Sequence, residues 1–152
     1  MSLLRVTGEV LAPCELGWDD LARLPEQVAD VSTLLPGREG GGVRLRAVLG
    51  RAGLKDGATH VSCESSDGVF AASVPLSAVR EAVIVYRLGD APLPAEKGGP
   101  LRFYIPAADD CLSGEVDQCA NVKYLAVLRI TRGAGHDTRP TTAAEHNALH
   151  RG

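Results

Sequence analysis

The sequence has no excess of positive charge. Its 16 Lys and Arg stand against 19 Asp and Glu in 152 residues, for a net charge of −3. Without a basic stripe there is no electrostatic footprint for nucleic acid, whose binding rests on neutralised phosphates. Long apolar runs are missing too. None approaches the roughly 20 residues that span a bilayer, so no membrane partner is expected. Cysteine is scarce, four in the whole chain, which excludes the disulfide scaffold of a small secreted domain. The opening MSLLRVTGEV lacks the charged-then-apolar order of a secretory signal and reads as a strand. The expectation is a cytoplasmic protein with one domain and a real core. Also lacking are a Ser/His/Asp ordering, an H-E-x-x-H, and any carboxylate pair suited to acid–base catalysis.

What is present is a series of short strands broken by turns. Leu3 to Val10 alternates, with Leu4, Val6, Gly8 and Val10 on one side, and Pro13 closes it. Trp18 to Leu24 spaces its apolar residues for a short helix that Pro25 follows, with Asp19 and Asp20 at the positive end. Val28 to Leu35 is apolar and β-branched and reads as a strand. Val43 to Gly53 has near-helical spacing, with Gly53 as its C-cap. Ser66-Asp67-Gly68 lies between two strand-like runs, 60–64 and 69–74, and signals a hairpin. Leu76 to Ala82 reads as a short helix and AVIVYRLG as a central strand. PLRFYIP is a strand ended by Pro106, residues 107–120 are polar and irregular, and NVKYLAVLRITR is the last strand, bulged near its middle. Strands and helices do not alternate strictly, which argues against a doubly wound parallel sheet. The expected class is α+β, a mixed β-sheet domain with short helices. The domain is placed at 1–132 and a C-terminal tail at 133–152, where Thr142 to His150 could form a short helix.

Most chemistry-bearing residues have a bland reading. Gly40-Gly41-Gly42 has no Gly-Lys-Ser/Thr and no spaced G-x-G-x-x-G, so it reads as a flexible connection rather than a phosphate cradle. Cys111 and Cys119 flank LSGEVDQ at a spacing unlike a zinc site. Whether they pair stays open, with two reduced thiols as the default. Cys63 reads as a small buried hydrophobe, and Cys14 as a turn residue. His146 and His150 share a face of the tail but need a third ligand such as Glu145 or His136. Asp109, Asp110, Glu115 and Asp117 read as a solvated acidic loop.

Several segments match one family in order and spacing. VTGEVLAPCELGWDDLARLP resembles the opening of the molybdopterin-binding domain of sulfite oxidase-like oxidoreductases, with its G-x-V-x-x-P turn and L-x-x-L-x-x-L-P helix. VRLRAVLGRAGLKDGATHVSCESSDGVFAASVPL resembles the next block, ending in D-G and then P-L. VIVYRLGDAPLPAEKGGPLRFYIP looks like L-A-x-x-L-N-G-x-P-L-P-x-x-H-G-x-P-L-R-x-x-x-P, and NVKYLAVLRIT like x-V-K-W-L-x-x-I-x-x-T. The likeness covers roughly residues 4 to 132. It implies a sulfite oxidase-type molybdopterin-binding fold. It further implies molybdenum held through a pterin dithiolene, redox chemistry at the metal, and a cysteine thiolate as the protein's ligand.

The same comparison exposes departures. The place of the family's Cys-x-Gly-Asn-Arg motif is taken by Leu34-Leu35-Pro36-Gly37-Arg38, which has no thiol. The histidine before G-x-P-L-R is Lys97. The extra Arg-Asn-His segment of longer members has no counterpart. What the resemblance still carries over is a set of cofactor-contacting positions: Lys123 in the V-K element with Asn121 beside it, Arg102 in P-L-R, and Arg38 next to the altered loop. Lys123 has a second reading as a surface lysine, and Arg102 as an outward salt-bridged residue. The implied function is that of a degenerate family member. It would bind a pterin-like or other small anionic ligand, or serve as an interaction module, with a homo-oligomer left open. The alternative is a molybdenum cofactor-dependent oxidoreductase with a non-standard ligand set.

Overall fold

Alternation builds the first sheet. In β1 (Leu4–Gly8), Leu4 and Val6 are fully buried while Arg5 between them is exposed, the period-two pattern of a half-solvated strand. The structure, a computed structural model, describes residues 2–106, 122–135 and 137–138. Along the chain follow β2 (Cys14–Leu16), α1 (Trp18–Arg23), β3 (Gln27–Val28), β4 (Gly41–Arg44) and α2 (Leu45–Ala52). Then come β5 (His60–Ser65), β6 (Ala71–Pro75), β7 (Val83–Leu88), β8 (Ala91–Pro92), β9 (Arg102–Tyr104) and β10 (Leu125–Thr131). One sheet has the order β2-β1-β10-β5-β6. A second has β3-β4-β7-β8, with β9 also on β7. β1 pairs with β10 in parallel, and the other pairs are antiparallel. This is the mixed α+β architecture expected.

The two sheets and α2 share one main core. Leu4, Val6, Leu128 and Ile130 of the first sheet join Val43, Ile84 and Phe103 of the second and Leu45 and Val48 of α2. α2 ends as its sequence requires: Gly53 takes φ +75° and donates its N–H to Leu49 O, a conformation that costs glycine little. α1 begins with the Gly17 N–H donating to the Asp20 carboxylate at 2.8 Å. The 65–70 hairpin closes through Gly68 at φ +75°, and β10 carries a bulge between Leu125 and Val127.

Five local readings are corrected. Val28 to Leu35 is not a strand beyond Val28. Asp30 accepts the Ser32 N–H at 2.9 Å and starts a 3₁₀ turn at Val31–Thr33, because a short polar side chain offers the backbone an alternative to the ladder. The glycine cluster is not a loose connection. Gly41 and Gly42 are buried in β4, between β3 and β7. A Cβ on Gly42 would lie 2.5 Å from Ile84 O, and one on Gly41 would strike the Arg87 guanidinium. Val43 belongs to this strand rather than to α2. Leu76 to Ala82 forms only a 3₁₀ turn at Leu76–Ala78, since the chain must bend to bring Ala82 O onto Leu45 N at 2.8 Å. Cys14 opens β2 opposite Val6 instead of sitting in a turn. Finally, among the described residues no helix is long and apolar enough to cross a membrane.

Candidate functional site

β7 is apolar on both faces, and that decides where a site forms. Ile84 and Tyr86 face the main core, whereas Val83 and Val85 join a smaller cluster with Val28, Val31, Leu93 and Tyr104. A strand covered on both sides reads as a continuous apolar run, which explains AVIVYRLG. On β9 the alternation sends Phe103 into the main core and Tyr104 to the opposite face. Arg102 shares that face: its Cζ lies 4.7 Å from the Tyr104 ring centroid. The turn after Leu35 brings the Arg38 Cζ to 5.4 Å from the same centroid.

A cavity of about 100 Å³ opens there. Val85, Leu93 and Tyr104 form its apolar wall, and Arg38, Glu39, Lys97 and Arg102 its polar one. Lys97 arrives at the end of a 3₁₀ turn, Ala95–Lys97, closed by Gly98 at φ +94°. Gly98 also makes room for the arginine, because a Cβ there would sit 2.8 Å from Arg102 Cδ. Arg102 donates from Nη1 to Lys97 O at 3.3 Å, while its Nε is buried without a partner among the described residues. Burial pushes its pKa below the ordinary arginine value, Tyr104 opposes that, and the nearby Arg38 adds to the depression. Burial likewise raises the Tyr104 phenol, and Arg102 and Arg38 pull it back. Among the described residues Arg38, Lys97 and Arg102 form no ion pair with a carboxylate. Converging cations with an unspent donor are suited to an oxyanion.

Of the positions carried over from the sequence, Arg38 and Arg102 meet at this cavity. Lys123 does not line it. It is exposed on a segment tied around Arg102 by Phe103 N to Val122 O, Tyr124 N to Gly98 O and Leu125 N to Leu101 O, at 2.8, 2.9 and 2.8 Å. Asn121 lies outside the described residues, as do Cys111, Cys119, the acidic loop residues, His136, Glu145, His146 and His150. The sequence marked Lys97 only as a replacement at the family's histidine position, and it did not single out Tyr104. Tyr104 was within reach, since it sits two places from Arg102 on one face of a strand. Lys97 was within reach through that motif position, though the turn that delivers it, Ala95–Lys97, is not legible from residue spacing. Among the described residues no group of His, Cys, Asp and Glu could hold a metal ion.

Residues 39–131 match the model of the oxidoreductase molybdopterin binding domain. That is more than half of the chain, and the protein belongs to this family. Among solved structures it is similar to the sulfane dehydrogenase SoxCD from Paracoccus pantotrophus, with a TM-score of 0.64 and 21% identity. The alignment covers 86% of this chain and 38% of that one, so the chain spans well under half of its structural relative. At that identity the likeness is one of fold, and it agrees with the expected sulfite oxidase-type architecture. No curated protein matches the sequence.

The family's cofactor can be tested against these residues. Its anionic end would find Arg38, Lys97 and Arg102. Among the described residues its metal end would find no thiolate, because neither described cysteine lines the cavity: Cys63 is buried in β5 and Cys14 belongs to β2. A volume of about 100 Å³ is also small beside the roughly 300–1,000 Å³ of pockets that enclose whole ligands. The described residues therefore fit the anionic part of such a group and not the metal-bearing part.

Proposed function

We propose that this protein is a family member that has kept the anion-binding face of the fold and lost the metal-ligating thiol. It binds a small anionic ligand, pterin-like or a simpler oxyanion, at the cavity under Arg38, Lys97 and Arg102. The observation that carries this reading is Arg102, half-buried beside a second arginine, with its Nε unpaired. A buried unpaired donor costs about 1–3 kcal/mol; a bound anion offsets that cost. The domain is taken to end near residue 132, its setting to be the cytoplasm, and nucleic acid and membrane are not among its partners.

Titration calorimetry of the purified protein with pyrophosphate tests the reading, with a neutral pterin as control. Saturable, salt-sensitive anion binding that Arg102→Ala weakens by roughly 10–100-fold is expected, the loss of one charge-assisted contact. A flat titration with every small anion refutes it. The alternative, a molybdenum oxidoreductase with other ligands, is favoured by the family match itself. Metal analysis of protein produced in a molybdenum-replete host separates the two, since stoichiometric molybdenum would overturn the degenerate reading.

A further inference from the structure

The first sheet has β2 at one edge and β6 at the other, and something other than a strand covers β6. In an antiparallel ladder alternate residues turn their N–H and C=O groups toward the partner. At the ends of the β5–β6 ladder Ser65 N donates to Phe70 O and Leu76 N to Thr59 O. Phe70, Ala72, Val74 and Leu76 thus face β5, and Ala71, Ser73 and Pro75 face outward. Pro75 has no N–H to leave unpaired, a familiar edge device. The Ala71 N–H donates to Thr138 Oγ1 at 2.9 Å and the Ser73 N–H to Asp137 Oδ2 at 3.0 Å. In return Thr138 N donates to Ala71 O at 2.7 Å, and Gly135 N to Ser73 Oγ at 2.9 Å. The start of the C-terminal segment therefore lies where a sixth strand would, held largely by side chains. Asp137 and Thr138 are exposed, so little apolar burial reinforces these bonds.

We propose that this segment is a detachable strap, and that a second copy of the chain pairs its β6 with the edge once the strap lifts. The strand beneath is AASVP, without the Lys or Glu that natural edges use to repel pairing. It is also self-complementary. An antiparallel pairing centred on Ser73 sets Ala71 opposite Pro75, so only the Ala71 carbonyl of each copy, facing a proline nitrogen, lacks a donor. Small uncharged side chains meet across it, with no like charges to oppose the contact.

Two measurements test this. In the native chain, hydrogen exchange at Ala71 and Ser73 is expected to proceed by local opening, while Ala72 and Val74 exchange only with the core. Equal protection at all four overturns the strap. In the full chain, Asp137→Ala with Thr138→Pro removes the strap's acceptors and its N–H donor. In dilute solution, where the monomer prevails, exchange at Ala71 and Ser73 should then rise roughly tenfold or more, and it should fall back at concentrations where sedimentation shows a doubling of mass. Adding Ser73→Pro, which removes the outward N–H and the hydroxyl that accepts from Gly135 N but no N–H of the β5–β6 ladder, should return the monomer. A variant that stays monomeric throughout, or a dimer that survives Ser73→Pro, refutes the edge pairing.

Discussion

Gly42→Ala isolates one consequence of the fold, namely that β4 runs against β7 too closely for a side chain. Gly42 is buried in β4, and its φ is not one that only glycine adopts, so backbone strain does not enter. The added methyl would meet Ile84 O at 2.5 Å and Val83 Cγ1 at 2.8 Å. The first neighbour is ladder backbone, which cannot move without parting β4 from β7. Overpacking of this kind costs about 1–3 kcal/mol. For a chain of this size each kcal/mol moves the melting temperature by roughly 2–4 °C, so the expected fall is about 2–12 °C. Gly50→Ala is the control. Gly50 is exposed in α2, and a methyl added there would have no neighbour within 4 Å, so alanine should stabilise by about 0.5–1 kcal/mol. Differential scanning calorimetry on both variants decides the matter. Gly42→Ala melting with the native protein, while Gly50→Ala gains, would refute the close approach and return the glycines to a loop.

Three more outcomes are expected. Arg102→Ala should leave the thermal transition cooperative but abolish stabilisation by added pyrophosphate, which a thermal shift assay reads; undiminished stabilisation would move the anion elsewhere. The Asp67 carboxylate accepts from Ser65 Oγ at 2.6 Å and Val69 N at 2.9 Å, and these bonds hold its pKa below the usual carboxylate range. Its contribution is present above the unfolded carboxylate pKa and is lost as pH falls through the lower folded value. Asp67→Ala should therefore be less stable at neutral pH and converge with the native protein in acid, as pH-dependent denaturant titrations would show. Trp18→Phe removes the indole donation to Tyr86 O at 3.2 Å. That carbonyl keeps its bond from Leu93 N, so urea unfolding should register only about 0.5–1.5 kcal/mol.

The sequence was most legible where one physical rule acted alone. Alternation in β1, the Asp-Gly turn before β6, the Gly53 cap of α2 and the apolar run of β7 each appear where the residues put them. Reading failed where a local preference met a tertiary demand. Val28 to Leu35 has strand-like side chains, yet Asp30 captures the backbone and turns it. Gly41 and Gly42 have low strand propensity, yet they are the residues that fit between Ile84 O and the Arg87 side chain. The site was legible in halves. Arg102 and Arg38 lie far apart in sequence and meet over Tyr104, which the family's ordered motifs foreshadowed. Lys97 joins them through a turn closed by a left-handed glycine, and only its place at the family's histidine position pointed to it.

The parallel pairing of β1 with β10 carries a consequence for biosynthesis. Among the described strands, β1 leaves the ribosome first and waits for β10: β10 stands between β1 and β5, and Leu128 and Ile130 complete the core around Leu4 and Val6. Until residue 131 has emerged, β1 and β5 have no common neighbour, and the sheet that joins the two halves of the chain cannot close. Contacts of such long range also slow the search for the native state. Closure of this sheet is thus expected to wait until β10 has emerged, with β1, β5 and the β6 edge all open on the nascent chain until then.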